Sequence, residues 1–160
     1  MKVVGEVLRE PGPDDFLPPI GAMYGLDLTS HPGRVTTKGD IAGIKPDIIL
    51  IKPNRQGVSM MENKPYYEST FDGNPGPGGA YTDCVAWFNT LGIPCEYLLI
   101  HSISFSWKQY TLVKEVQDIL GDRFGTILLE DIFVAMAEAQ FKYGPVTEWN
   151  PFVEKGSDYA

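Results

Sequence analysis

Two short motifs hold the residues of this chain that are best suited to catalysis, Pro46-Asp47 and Glu62-Asn63-Lys64. Residues 47–52 form a continuous β-branched run, residues 53–57 have turn composition, and residues 58–64 read as a second strand. Together these segments predict a β-hairpin. Antiparallel pairing would bring the open ends of the hairpin together, so both motifs are expected at one place.

The alternation of side chains along the second strand predicts where the charged groups point. Val58, Met60, Glu62 and Lys64 share one face, because successive side chains of a strand lie on opposite faces. A face that begins with Val58 and Met60 is expected to turn inward. Charged groups on such a face are costly unless they are paired or bind a metal, so this placement indicates a functional site.

This combination of a Pro-Asp, a Glu-x-Lys and the surrounding predicted strands resembles the PD-(D/E)xK phosphodiesterase superfamily, which has the restriction-endonuclease-like fold. The resemblance extends from about Asp40 to Ile103. It implies a mixed sheet flanked by helices and a Mg²⁺-dependent endonuclease that hydrolyses the phosphodiester bonds of DNA. Position by position, Asp47 corresponds to the first acid of the motif, Glu62 to the second acid and Lys64 to the lysine.

The chemistry of these residue types agrees with that implication. Two carboxylates, from Asp47 and Glu62, and the main-chain carbonyl of Asn63 can hold one Mg²⁺, with Mn²⁺ as a substitute. The ion would polarise a phosphate oxygen and acidify a water, while Lys64 would orient that water or stabilise the transition state. Many superfamily members add a glutamate from the first helix, and Glu6 or Glu10 would serve here.

The net charge of −8 hides a basic segment. Residues 34–64 hold six basic and three acidic residues, a net +3, which leaves −11 for the rest of the chain. Because this segment coincides with the two motifs, we expect it to contact the phosphates of DNA or RNA. The predicted nucleic-acid-binding residues are Arg34, Lys38, Lys45, Lys52 and Arg55.

The residues leave other interpretations open. Glu62 and Lys64 would make an exposed i,i+2 ion pair on a strand edge, and Asp47 would be an ordinary turn residue after Pro46. The chain would then be a non-catalytic acidic interaction protein on the same fold, which binds a basic protein or mimics nucleic acid. A third interpretation is a hydrolase of smaller phosphate esters.

The remaining elements predict an α/β protein with a mixed sheet of four to five strands flanked by helices. Residues 1–33 read as a Pro/Gly-rich arm without sustained periodicity, in which only residues 3–10 would form a short helix or strand. Residues 34–145 are predicted to form one nuclease-like core domain, and residues 146–160 an acidic tail. Within the core, the predicted strands are 34–41, 96–102 and 126–129, and the predicted helices are 81–91, 106–120 and 131–142.

Several classes have no support in the sequence. No apolar run reaches the roughly 18 residues of a membrane helix, and no early signal-like segment is present, so a cytoplasmic protein is expected. Cys84 and Cys95 lack zinc or CxxC spacing and are expected in the core. His101 is expected at the rim of a strand rather than in catalysis. One hairpin provides one site, so concerted cleavage of a duplex would require a homodimer or two encounters.

Overall fold

The structure, a computed structural model, describes residues 5–29, 44–64, 73–101 and 107–144. It is an α/β protein with one five-stranded mixed sheet. The chain divides into two compact units, Met1–Leu128 and Leu129–Ala160. The sheet lies in the first unit, and the described part of the second unit is one helix followed by Gly144.

The strands follow one another across the sheet in sequence order. They are β1 (Glu6–Arg9), β2 (Ile48–Ile51), β3 (Val58–Lys64), β4 (Cys95–His101) and β5 (Phe124–Leu128). The first three pair antiparallel, whereas β3–β4 and β4–β5 are parallel. This sheet confirms the predicted fold class at the level of an α/β protein with a mixed sheet of five strands.

Three helices of the first unit pack against one face of the sheet. They are α1 (Pro13–Tyr24), α2 (Ala80–Thr90) and α3 (Trp107–Leu120), the last followed by a 3₁₀ turn over Gly121–Arg123. The core joins side chains of these helices to the sheet face that carries Ile49, Met60 and Leu99. The second unit holds α4 (Leu129–Tyr143).

The helix α1 corrects the sequence analysis, which predicted no regular element over residues 13–24. Three prolines concealed it, but Pro13 stands at the first helical position, where no intrahelical N–H bond is needed. Pro18 and Pro19 remove helical hydrogen bonds. Burial of Phe16 and Ile20, each worth about 1.5–3 kcal/mol, offsets that loss.

The other described elements agree closely with their predictions. The hairpin of β2 and β3, the three later helices and the strands β4 and β5 all occur within a few residues of the expected bounds. β1 confirms a regular element within residues 3–10. The predicted strand over 34–41 lies outside the described residues.

Two further expectations concern the core and the membrane. Cys84 and Cys95 are free thiols buried in the core, as predicted. Among the described residues, no helix combines the length and the apolar character that a membrane crossing requires.

Candidate metal-binding active site

The two motifs meet at one edge of the sheet, as the hairpin predicted. Ile48 is paired with Met61, so Asp47, one residue earlier, lies opposite Glu62. Both belong to the face that carries Ile49 and Met60, because paired residues of an antiparallel ladder share a face. Lys64 follows on the same face. The hairpin therefore places the two carboxylates and the lysine together on the inward side of the sheet.

Asp47 is held by backbone groups from both neighbouring strands. Its carbonyl oxygen accepts a hydrogen bond from the Glu10 N–H at 2.7 Å. Its Oδ2 accepts one from the Asn63 N–H, also at 2.7 Å. Among the described residues, nothing donates to Oδ1, so this oxygen is available to a ligand.

Glu62 is the most unusual residue of the site because its carboxylate is buried. The residue is only 7% exposed, and it lies on β3, the central strand of the sheet. Its Oε1 lies 3.3 Å from the Lys64 Nζ. Its Oε2 is buried and accepts no hydrogen bond from any described residue. A buried oxygen without a hydrogen-bond partner costs free energy, and a bound cation would compensate that cost.

The pKa of Glu62 also reflects its burial. Burial raises the pKa of Glu62 above its usual range, and the nearby charge of Asp47 raises this pKa further. Lys64 and the Asp47 backbone amide act in the opposite direction without cancelling the effect. The site therefore has a deficit of positive charge that the lysine alone does not supply.

These contacts contradict the interpretation of Glu62 and Lys64 as an exposed i,i+2 ion pair on a strand edge. The ion pair exists, but its glutamate is buried and its lysine is half-buried. An exposed pair would be worth well under about 1 kcal/mol and would leave no unpartnered oxygen behind.

The predicted metal ligands correspond to Asp47 Oδ1, Glu62 Oε2 and the main-chain carbonyl of Asn63. Within the described ranges, no three carboxylate, imidazole or thiolate groups converge to hold an ion. Glu6 pairs with Ile51, four residues away from the position of Asp47. Glu10 follows β1, is exposed, and hydrogen-bonds Asp47 through its backbone. Neither glutamate lies on the first helix, and a third acidic ligand from Glu6 or Glu10 stays a prediction.

Two residues of this region were not assigned to the site by sequence reasoning. Tyr81 lies near the start of α2 and is buried. Its hydroxyl donates a hydrogen bond to the Lys45 carbonyl oxygen at 2.7 Å. In the sequence it is only the first residue of the predicted helix 81–91, since nothing local relates residue 81 to residue 45. His101 pairs in register with Lys64 and is half-buried. Only the parallel β3–β4 register reveals this neighbour.

The three predicted nucleic-acid-binding residues that the structure describes, Lys45, Lys52 and Arg55, differ in their surroundings. Lys45 is exposed and lies two residues from Asp47. Lys52 pairs with Glu96 at 2.8 Å. Arg55 lies in the turn of the hairpin, where its guanidinium is 5.4 Å from the Tyr24 ring centroid. That turn is at the opposite end of the hairpin from the carboxylates, at least about 16 Å away at 3.3 Å per residue. Arg34 and Lys38 are outside the described residues.

No protein-family model, no curated protein and no solved structure matches this chain. Its site must therefore be interpreted from its own geometry.

Proposed function

We propose that this chain is a Mg²⁺-dependent nuclease of the PD-(D/E)xK type with a restriction-endonuclease-like fold. The observation that carries the proposal is the buried Glu62, whose Oε2 has no partner among the described residues and whose position in the ladder is opposite Asp47. A divalent cation between these carboxylates would compensate the buried negative charge. Hard oxygen ligands of this kind suit Mg²⁺ or Mn²⁺.

The residues of the chain have separable roles in such a reaction. Bound Mg²⁺ would supply polarisation of a phosphate oxygen and a more acidic water. Asp47 and Glu62 would hold the cation, the Asn63 N–H keeps the Asp47 carboxylate oriented, and the Glu10 N–H holds the Asp47 backbone. Lys64 is held at 3.3 Å from Glu62, where its ammonium can face the scissile phosphate and stabilise the charge that develops there.

A nucleic acid is the substrate that the site favours over a small phosphate ester. The site lies where β2 begins and β3 ends, and the exposed Lys45, two residues before Asp47, brings a second positive charge to this end of the sheet. A polyanion can contact both cations while its backbone crosses the carboxylates. We propose DNA as this polyanion, and RNA is the alternative that the experiment includes.

Single-turnover cleavage of labelled DNA and RNA tests the proposal. We expect wild-type protein to cleave with Mg²⁺ or Mn²⁺, to stop in EDTA, and to lose activity by about 10² or more with Asp47→Asn. Glu96→Gln is the matched control, because it changes a carboxylate that pairs with Lys52 instead. Cleavage that persists in EDTA would contradict the proposal. A wild type that cleaves neither nucleic acid would favour the acidic interaction protein.

A further inference from the structure

We propose that Tyr81 is a positioning residue of the carboxylate site: its hydroxyl holds the segment that carries Asp47 and thereby sets the affinity of the site for a divalent cation. This inference rests on the proposed function, since it concerns the same metal site. It adds a residue on α2 to a site otherwise built from the hairpin.

The hydroxyl acts on the chain just before Asp47. Tyr81 is 4% exposed, and its hydroxyl donates to the Lys45 carbonyl oxygen at 2.7 Å. Pro46 restricts Lys45 to extended conformations because the proline ring would otherwise clash with it. A hydrogen bond that fixes the Lys45 carbonyl therefore also restricts the backbone conformation of residues 45–47, and with it the position of Asp47.

The other two contacts of Asp47 come from backbone groups of the neighbouring strands. The Glu10 N–H donates to the Asp47 carbonyl, and the Asn63 N–H donates to Asp47 Oδ2, each at 2.7 Å. The first joins two backbone groups, whereas the second depends on the carboxylate of Asp47 itself. The Tyr81 hydroxyl is the contact of these three that a substitution outside the hairpin can remove while Asp47 and the sheet pairing stay intact.

The ring of Tyr81 is itself held in place by neighbouring groups, so its hydroxyl is already oriented toward its acceptor. Tyr97 packs edge-on against it, with ring centroids 5.9 Å apart and an interplanar angle of 80°. The Tyr81 N–H also donates to the Asn74 carbonyl at 3.1 Å. Burial, together with the nearby charges of Glu62 and Asp47, raises the pKa of Tyr81.

Tyr81→Phe removes this donor and keeps the ring. Tyr97→Phe is the matched control: Tyr97 is also buried, and its hydroxyl donates to the Pro75 carbonyl in the loop before α2, not to the Asp47 segment. Calorimetric titration with Mn²⁺ measures the affinity of each folded variant at 25 °C. We expect Tyr81→Phe to weaken Mn²⁺ binding by about tenfold, the lower end of the range for losing a direct partner of a metal ligand, because Tyr81 acts on the backbone two residues before Asp47. Tyr97→Phe should stay within about twofold of wild type.

Cleavage at increasing Mn²⁺ distinguishes positioning from loss of structure. With saturating Mn²⁺, the single-turnover rate of Tyr81→Phe should return to within about threefold of wild type, because a bound ion restores the geometry. Equal Mn²⁺ affinity in wild type and Tyr81→Phe would overturn the inference, and so would an equal loss in both variants. If wild type binds Mn²⁺ but cleaves nothing, the proposed function fails while the affinity difference still supports the inference. If wild type binds no Mn²⁺, both are wrong.

Discussion

Glu62 is a carboxylate in a buried position, where desolvation disfavours its charged form. Its carboxylate lies on the apolar face of the central strand, where one oxygen meets Lys64 and the other meets no described partner. Such an arrangement destabilises the folded chain without a cation, since the desolvation of the charge is only partly repaid. Active sites commonly retain groups that stability alone would remove.

Glu62→Gln should therefore stabilise the metal-free protein and abolish Mn²⁺ binding. The folded-state pKa of Glu62 is raised above the reference value of 4.5, so the folded chain binds the proton more tightly than the unfolded chain. The free energy of unfolding of wild type thus falls as pH rises from about 4.5 through the raised pKa. Urea unfolding in EDTA should show a gain on the order of 1 kcal/mol for Glu62→Gln at pH 8, and a smaller gain at pH 5.

Glu96→Gln provides the control with the opposite sign. Burial tends to raise the pKa of Glu96, but hydrogen bonds from Lys52 and Ser59 outweigh it and lower this pKa. The stabilisation from Glu96 is therefore present above pH 4.5 and is lost as pH falls through the lowered pKa. A Glu62→Gln variant that is less stable than wild type at pH 8 would contradict our account of the site.

Substitution of Lys64 should slow cleavage without weakening the binding of the metal ion. Lys64→Ala is expected to bind Mn²⁺ as tightly as wild type or more tightly, because an ammonium is no ligand and repels the cation. Its single-turnover cleavage should slow by about 10² or more, as when one transition-state group is lost. Lys52→Ala serves as the control, since its ammonium pairs with Glu96. Equal rates for Lys64→Ala and wild type would reduce Lys64 to a structural ion-pair partner.

At the scale of elements, the register of the hairpin decides whether the site exists. Asp47 and Glu62 face each other only because Ile48 pairs with Met61. A shift by one residue would send every side chain of β2 to the opposite face. The turn at Gly57 pins this register: its carbonyl accepts from the Lys52 N–H at 2.9 Å, and the next N–H, from Val58, donates to the Pro94 carbonyl at 2.8 Å.

Gly57→Ala should accordingly be strongly destabilising. Gly57 has a φ of +113°, and a Cβ there would overlap the Pro94 carbonyl oxygen. Gly92 offers a matched control, because its φ is +75° but a Cβ would meet no atom within 4 Å. We expect Gly92→Ala to cost about 1 kcal/mol and Gly57→Ala at least about 2 kcal/mol more, measured by urea unfolding. Equal costs would show that the contact with Pro94 is unimportant.

At the scale of the whole molecule, charge limits how a nucleic acid can approach. The chain carries a net −8, so binding depends on a few local cations and should weaken steeply with salt. Lys45 lies beside the carboxylates, whereas Lys52 is neutralised by Glu96. The contact surface that we expect is therefore centred on Lys45 and Lys64.

The slope of log K against log salt tests this surface. In the non-cleaving Asp47→Asn background, Lys45→Ala should reduce the slope by about one, because one phosphate contact is lost. Lys52→Ala should leave it unchanged. Fluorescence anisotropy with labelled DNA between about 50 and 200 mM salt measures both. A reduction with Lys52→Ala but not with Lys45→Ala would place the nucleic acid elsewhere on the protein.

The sequence alone determined the elements whose signals are local. The β-branched run before the turn at residues 53–57 predicted the hairpin, and period-two alternation put Glu62 and Lys64 on its inward face. Antiparallel pairing then placed Asp47 near Glu62, which the register confirms. These inferences succeeded because a hairpin joins neighbouring segments, so its contacts depend on residues that are close in the chain.

Only the tertiary structure revealed the features that depend on contacts between segments far apart in the chain. Burial of Phe16 and Ile20 offsets the prolines that concealed α1. The parallel pairing of β3 with β4 made β3 a central strand and brought His101 beside Lys64. The hydrogen bond from Tyr81 to Lys45 spans 36 residues. The unpartnered oxygen of Glu62 likewise results from packing on all sides, because desolvation depends on every atom that surrounds a group and not on its neighbours in sequence.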